Sequence, residues 1–187
     1  MFQAVTDWNA RINQVESIPD HLVEAFQRFE ERRPRPIALE IPTDLLGHEA
    51  EVEVLLPREA NIAQGDPARV EKALQELLQA KRPLIVVGEE VQSQGGTQEI
   101  IRLAEQLGAP VITTDGAKGA FPESHPLSLG TSLGKRIWGE NPVQDWVSSC
   151  DVCLVLGSTL PYRSTVGVDL KLPPNLIHVL LDEESIG

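Results

Sequence analysis

From Asp66 onward, short apolar runs alternate with amphipathic helical segments, and this alternation constrains the fold more than any other feature of the chain. The predicted strands are Leu84–Gly88, Val111–Thr114, Val152–Gly157 and Leu176–Leu181. Because these runs are almost continuously apolar, both faces of the sheet that they form must be covered. The sequence therefore predicts an α/β domain of three layers, in which a mainly parallel sheet is flanked by helices.

The helices between these strands carry their own start and stop signals. Asp66 is a predicted N-cap, and the helix from Pro67 to about Ala80 then begins with proline at its first position. A second helix is predicted at Thr97–Leu107, and Gly108 ends it as a C-terminal cap. A third, short helix is expected around Val143–Ser149.

The residues before Asp66 form a smaller, separate part of the chain. A helix is predicted from about Pro19 to Arg32, with Ser17 or Asp20 as its cap, followed by a strand at Pro36–Ile41. No partner strand is evident within the first 45 residues, so these elements are expected to need a sheet elsewhere. Residues 49–66 read as a polar connector, in which the alternation of Glu51–Val54 could form a brief edge strand.

The segment 107–130 contains a glycine-rich loop that directly follows a predicted strand. Gly116, Lys118 and Gly119 could let backbone N–H groups and one cation approach a phosphate or a carboxylate. A tight crossover turn that needs positive φ angles explains the same glycines without a ligand. Ligands of such sheets lie at the carboxyl ends of the strands, and the loops that follow the predicted strands could all line one crevice there.

Composition excludes several classes of function. The 187-residue chain has a formal charge of −12, so nucleic acid is an unsuitable partner. No apolar run approaches the ~18 residues of a membrane span, and the start lacks a secretory signal pattern. We expect a cytoplasmic protein without a membrane partner.

Isolated reactive side chains do not assemble into a catalytic motif. Cys150 and Cys153 have Cys-x-x-Cys spacing, but they close a helix and enter a strand, which favours a structural role over a redox pair or a zinc site. His125 lies in a proline-containing loop with no nucleophile nearby, and Asp145 gives no further support to catalysis. We predict no catalytic residue and no metal ligand in this chain.

Several segments together carry a family resemblance, and they occur in the order that the family shows. They are Arg35–Asp44, Ala80–Gly88, Leu107–Gly130, Asp151–Gly157 and Ile177–Asp182. With these segments the sequence resembles thiamine-diphosphate-dependent enzymes, particularly the acetolactate synthase and benzoylformate decarboxylase group. The resemblance covers nearly the whole chain and centres on the family's central domain.

The resemblance implies that the chain is a fragment of a longer enzyme. It implies that residues 1–45 are the end of a pyrimidine-binding domain, that 46–66 are a linker and that 67–187 are the central domain. The parent would be a 2-oxoacid decarboxylase or carboligase whose thiamine diphosphate and Mg²⁺ sites lie outside this chain. Its expected partners are the remaining domains, a second subunit of a homo-oligomer and a small 2-oxoacid substrate, and the fragment alone is expected to be inactive.

In acetolactate synthases the crevice of the central domain holds FAD, and in other relatives it holds ADP or nothing. The resemblance places cofactor-binding positions at Gly88, Gly116, Lys118, Gly130, Gly134, Gly157, Arg163 and Asp182. This chain departs from the flavin-binding pattern, because Glu89 and Glu90 follow the predicted strand Leu84–Gly88 and would repel a pyrophosphate. FAD or ADP in the crevice stays possible, but an empty crevice is favoured.

A second hypothesis needs no missing domains. The same alternation of strands and helices is compatible with a free-standing nucleotide- or FAD-binding regulatory module of sirtuin-like architecture. An open reading frame that extends well beyond both ends of the chain would decide for the enzyme.

Overall fold

A computed structural model describes residues 2–56, 59–62, 64–131, 142–160 and 172–181. The chain divides into two compact units, residues 1–64 and 65–187. In the described part of the chain, no helix is both long and apolar enough to cross a membrane.

The second unit is built on a five-stranded sheet in which every neighbouring pair is parallel. Its strands are β3 (Pro83–Val87), β4 (Val111–Thr113), β5 (Ser128–Thr131), β6 (Val152–Leu156) and β7 (Asn175–Val179), in the order β5-β4-β3-β6-β7. The helices that belong to this unit are α2 (Pro67–Gln79), α3 (Glu89–Ser93), α4 (Thr97–Leu107) and α5 (Pro142–Ser148). The predicted α/β class with a mainly parallel sheet is confirmed.

Alternate residues of each central strand point to opposite faces of the sheet. Both faces are apolar, and helices cover both of them. On one face, Ile85 and Val87 pack with Leu77 of α2 and Ile100 of α4. On the other face, Leu84 and Val86 pack with residues that include Val147 of α5. All five residues of β3 are buried, so the apolar run predicted from the sequence is the centre of the core.

The predicted helix boundaries follow from local chemistry. The Asp66 side chain accepts a hydrogen bond from the Ala68 N–H at 2.9 Å, which confirms the cap of α2. Gly108 ends α4 with a φ of 60°, a conformation that glycine adopts without a steric penalty.

The first unit contains a two-stranded parallel sheet and one long helix. Its strands are β1 (Trp8–Arg11) and β2 (Ile37–Glu40), and α1 (Ile18–Glu31) lies between them in sequence. The expectation that the first 45 residues contain no partner strand is therefore wrong. Ser17 occupies the capping position of α1, but its hydroxyl donates to the Gln14 carbonyl instead of capping the helix.

Three local expectations differ from the structure. Glu51–Val54 forms no strand, α3 lies in a stretch for which no element is predicted, and β5 lies in the predicted glycine- and proline-containing loop. Among the described strands, β5 pairs with β4 alone, and it is half-buried. Its sequence accordingly lacks the apolar run that marks a central strand.

Candidate functional site

The candidate site lies at the carboxyl ends of β3 and β6. Strand β3 is central, and the chain places β4 and β5 on one side of it and β6 and β7 on the other. The strand order therefore reverses between β3 and β6. A crevice forms beyond the carboxyl ends of these two strands, which is the usual ligand position in open α/β sheets. Gly88 follows β3 and Gly157 follows β6, so two predicted site residues meet there.

Gly88 and Gly157 bring the two loops into direct backbone contact. The Gly88 N–H donates to the Leu156 carbonyl at 2.7 Å, and the Glu90 N–H donates to the Gly157 carbonyl at 3.1 Å. A Cβ at Gly88 would overlap the Gly157 carbonyl and Ser158. Gly157 has a φ of 64°, and a Cβ there would lie 2.8 Å from the Glu90 Cβ. Both glycines are thus required by the packing of one loop against the other.

The loop after β4 lies beside the same contact. The Thr114 N–H donates to the Val87 carbonyl at 2.9 Å. Gly116 faces the side chain of Glu89, whose Cδ would lie only 2.8 Å from a Cβ at that position. The structure therefore brings Gly88, Gly116 and Gly157 to the same edge of the sheet, as the sequence predicts.

Lys118 and Gly130 lie near this edge but make different contacts. Lys118 is exposed and forms an ion pair with Glu123, with 3.8 Å between Nζ and Oε1. Gly130 belongs to β5 at the margin of the sheet, has a φ of 82° and donates its N–H to Ser128 Oγ. The predicted residues Gly134, Arg163 and Asp182 lie outside the described residues. Cofactor binding by the whole predicted set stays a prediction.

Two side chains of this edge make contacts that sequence patterns do not reveal. Glu90 is 8% exposed, and its Oε2 accepts a hydrogen bond from the Leu181 N–H at 3.0 Å. The Nε2 of His178 on β7 lies 2.6 Å from the Ser158 carbonyl oxygen. Both contacts join the end of β7 to the loops after β3 and β6, and neither can be predicted from a local sequence motif.

One buried polar group at this edge lacks a partner. Thr114 is 1% exposed, and among the described residues its Oγ1 is the buried side-chain oxygen without a hydrogen bond. The preceding residue differs, because Thr113 Oγ1 lies 3.1 Å from Thr131 Oγ1. An unsatisfied hydroxyl in the interior is costly, so Thr114 is expected to lower the stability of the fold at this edge.

The thiols of Cys150 and Cys153 are poorly reactive. Burial raises the pKa of Cys150 to about 11 and that of Cys153 to about 12, so the thiolate needed for nucleophilic attack or metal binding is disfavoured. Both are buried free thiols that pack against the same face of the sheet as Leu84. These observations support the structural role predicted from their position.

The His125 side chain stabilises a turn. Its Nδ1 accepts a hydrogen bond from the Leu127 N–H at 3.2 Å, so Nε2 carries the hydrogen and faces Glu105 at 3.3 Å. Its ring packs edge-on against Phe121 with 5.0 Å between the ring centres. Asp145 is exposed on α5. Among the described residues, no group of three or more His, Cys, Asp or Glu side chains is placed to hold a metal ion.

The first unit has a separate apolar groove of about 320 Å³ between α1 and residues 52–55. Leu22 and Phe26 of α1 line it together with Val52 and Val54. These side chains are substantially exposed, Phe26 by 62% and Val54 by 85%. Such a surface is suited to covering by another protein surface and offers few groups that could do chemistry.

Comparison with known proteins gives one consistent family. Residues 70–187 match the family model described as the central domain of thiamine pyrophosphate enzymes. The chain is 32% identical over 195 residues to a probable acetolactate synthase large subunit of Methanocaldococcus jannaschii, with 100% of this chain and 32% of the relative covered. It is 30% identical over 188 residues to the acetolactate synthase large subunit of Corynebacterium glutamicum, which covers 98% of this chain and 30% of the relative.

A solved structure gives the same result at the level of the fold. Benzoylformate decarboxylase from Polynucleobacter necessarius superimposes with a TM-score of 0.73 at 25% identity, and the match covers 99% of this chain and 35% of that protein. The chain thus spans about a third of the length of the curated relatives that it matches. These comparisons give no support to the hypothesis of a free-standing sirtuin-like module.

Proposed function

The chain belongs to the thiamine pyrophosphate enzyme family, whose central domain it contains, and on this premise we propose that it serves as the scaffold of a 2-oxoacid decarboxylase or carboligase of the acetolactate synthase type. The observation that carries the proposal is the family match over residues 70–187. In this role the second unit supplies a rigid sheet and contributes no reacting group.

The chemistry of the described residues supports a scaffold role. The two thiols are buried and hard to ionise, and His125 is engaged in a turn. A scaffold needs a sheet that is fixed by packing on both faces, and β3 with its five buried residues meets that need.

Thiamine diphosphate and Mg²⁺ are assigned to other parts of the parent protein. A diphosphate-bound Mg²⁺ needs oxygen ligands from carboxylates, amides or carbonyls. Among the described residues, no group of three or more His, Cys, Asp or Glu side chains is placed for such an ion, which supports a cofactor site elsewhere in the parent. We assign the transferase or lyase activity to the parent, with the thiamine cofactor bound by its other domains.

The proposed domain organisation follows the family. Residues 1–45 are assigned to the end of the pyrimidine-binding domain, 46–66 to a linker and 67–187 to the central domain. The proposed partners are the remaining domains of the parent, a second subunit of a homo-oligomer and the 2-oxoacid substrate. The apolar side chains exposed on α1 support a covered surface in the assembled enzyme. Cytoplasmic location stays a prediction.

The test compares two proteins expressed from the same gene. One is the product of the complete open reading frame, and the other is the 187-residue chain. Each is assayed for consumption of pyruvate and of a panel of other 2-oxoacids with thiamine diphosphate and Mg²⁺, and again without thiamine diphosphate. We expect cofactor-dependent turnover by the first protein and none by the second. Turnover by the 187-residue chain, or a complete reading frame that never uses thiamine diphosphate, would refute the proposal.

A further inference from the structure

The crevice beyond β3 and β6 is occupied by the protein's own groups. In sheets of this kind, glycines at strand ends let a ligand's phosphates approach the backbone. Here Gly88 contacts Gly157 and Ser158, and Gly116 contacts the side chain of Glu89. The space that each of these glycines leaves is therefore filled from within the chain.

Glu90 is fixed at the centre of this arrangement by both its backbone and its side chain. Its N–H donates to the Gly157 carbonyl at 3.1 Å, and its Oε2 accepts from the Leu181 N–H at 3.0 Å. The residue is 8% exposed. A phosphate at a strand end is bound by backbone N–H groups of this kind, so the Glu90 carboxylate already holds the position of an anion.

Charge adds to this steric effect. Glu89 and Glu90 are adjacent, and both side chains are directed into contacts at the strand ends. Like charges repel strongly where water is partly excluded, so the buried Glu90 carboxylate disfavours a diphosphate beside it, and the exposed Glu89 adds a weaker repulsion. Among the described residues of this edge, Lys118 lies close to Glu123, which balances its charge.

We propose that Glu90 closes the central-domain crevice of this protein to diphosphate ligands such as ADP and FAD, with its carboxylate as a built-in replacement for the ligand's anion. The crevice residues that the structure describes do not fit a dinucleotide, in contrast to the FAD-containing crevice that the resemblance attributes to acetolactate synthases. The proposal concerns ligand selection at this crevice and does not depend on which reaction the parent enzyme catalyses.

The experiment measures ADP binding by equilibrium dialysis with radiolabelled ADP, together with the visible absorbance of the purified protein. The wild-type protein should show no flavin absorbance and no saturable binding of ADP at millimolar concentration. One equivalent of bound flavin, or saturable ADP binding by the wild type, would overturn the proposal.

Two variants test the role of Glu90 directly. Glu90→Ala frees the Leu181 N–H and removes the charge, so ADP should bind saturably, with an affinity at least ~10-fold above the limit that the wild-type measurement sets. The control is Glu99→Ala, which removes an exposed carboxylate that pairs with Arg102 on α4 and should leave ADP binding unchanged. An equal gain in both variants would mean that net charge alone excludes the ligand and would overturn the assignment to Glu90.

A conservative variant keeps the test valid if Glu90→Ala does not fold. Glu90→Gln preserves the side-chain shape and an acceptor for Leu181, and it removes only the charge. Folding of each variant is checked by circular dichroism, and exchange of the Leu181 amide hydrogen reports whether the hydrogen bond is kept. Glu90→Gln should gain ADP affinity in the same direction, and a folded Glu90 variant without any gain would contradict the proposal.

Discussion

Replacing Thr114 with valine should make the protein more stable, which is unusual for a substitution at a buried position. The Thr114 side chain is 1% exposed, and its Oγ1 has no hydrogen-bond partner among the residues that the structure describes. Leaving a buried hydroxyl unsatisfied costs about 1 to 3 kcal/mol, and valine has nearly the same shape without the hydroxyl. Thr114→Val should therefore raise the free energy of unfolding by about 1 kcal/mol or more.

Thr113 provides a matched control at the adjacent position. Its Oγ1 lies 3.1 Å from Thr131 Oγ1, so Thr113→Val loses a hydrogen bond that is worth about 0.5 to 1.5 kcal/mol. Thr131 keeps a second contact with Glu123 at 3.4 Å and is not left unsatisfied. The two valine variants should thus shift stability in opposite directions and differ by about 2 kcal/mol.

The assay is urea unfolding followed by circular dichroism, with the midpoint and slope fitted for the wild type and both variants. An unchanged slope shows that the variants differ in stability and not in the extent of unfolding. If Thr114→Val is less stable than the wild type by about 1 kcal/mol, the hydroxyl has a partner, and the reasoning about this edge of the sheet is wrong.

Three other predictions concern groups at both ends of the central strands. Two backbone N–H groups just before β3 hold the pKa of Asp151 below its ordinary value of 3.8, so its contribution to stability is present above that pH and lost as the pH falls through the lowered pKa. Asp151→Asn should therefore lower the urea midpoint at neutral pH and not at strongly acidic pH, and a difference independent of pH would contradict this. Because burial raises the pKa of Cys150 and Cys153, a thiol reagent at neutral pH should label the folded protein much more slowly than the unfolded protein, and equal rates would exclude the buried arrangement. Gly88→Ala should cost about 1 to 3 kcal/mol by overpacking, whereas Gly47→Ala, with nothing within 4 Å of its Cβ, should be nearly neutral in the same urea assay.

The central strands could be predicted because their signal is local. A strand buried on both faces must be apolar at nearly every position, and Pro83–Val87 and Val152–Leu156 meet this condition in the sequence itself. The caps at Asp66 and Gly108 are equally local, since each depends on the chemistry of one residue. Fold class and the order of the main elements follow from such signals.

The elements that sequence patterns miss depend on distant partners. Trp8–Arg11 becomes a strand through its pairing with Ile37–Glu40, and the half-buried Ser128–Thr131 through its pairing with β4. Glu51–Val54 shows the converse, because an alternating pattern without a paired neighbour stays irregular, with Val54 85% exposed. An edge strand is decided by the surface beside it, which the segment's own residues do not encode.

The candidate site also depends on contacts between distant residues, which local sequence patterns do not reveal. These contacts change how the crevice is interpreted. A glycine in the sequence indicates that some group approaches closely, but it does not identify that group. For Gly88, Gly116 and Gly157 the approaching groups are the protein's own loop and glutamate side chains. The acidic pair Glu89 and Glu90 and the three glycines thus form one arrangement. Each glycine makes room for a loop or glutamate side chain of this protein where a ligand could otherwise approach the backbone. Because Glu90 also joins the end of β7 to the loop after β3, the contact that would exclude a nucleotide adds to the pairing of β7 with β6 in holding that strand.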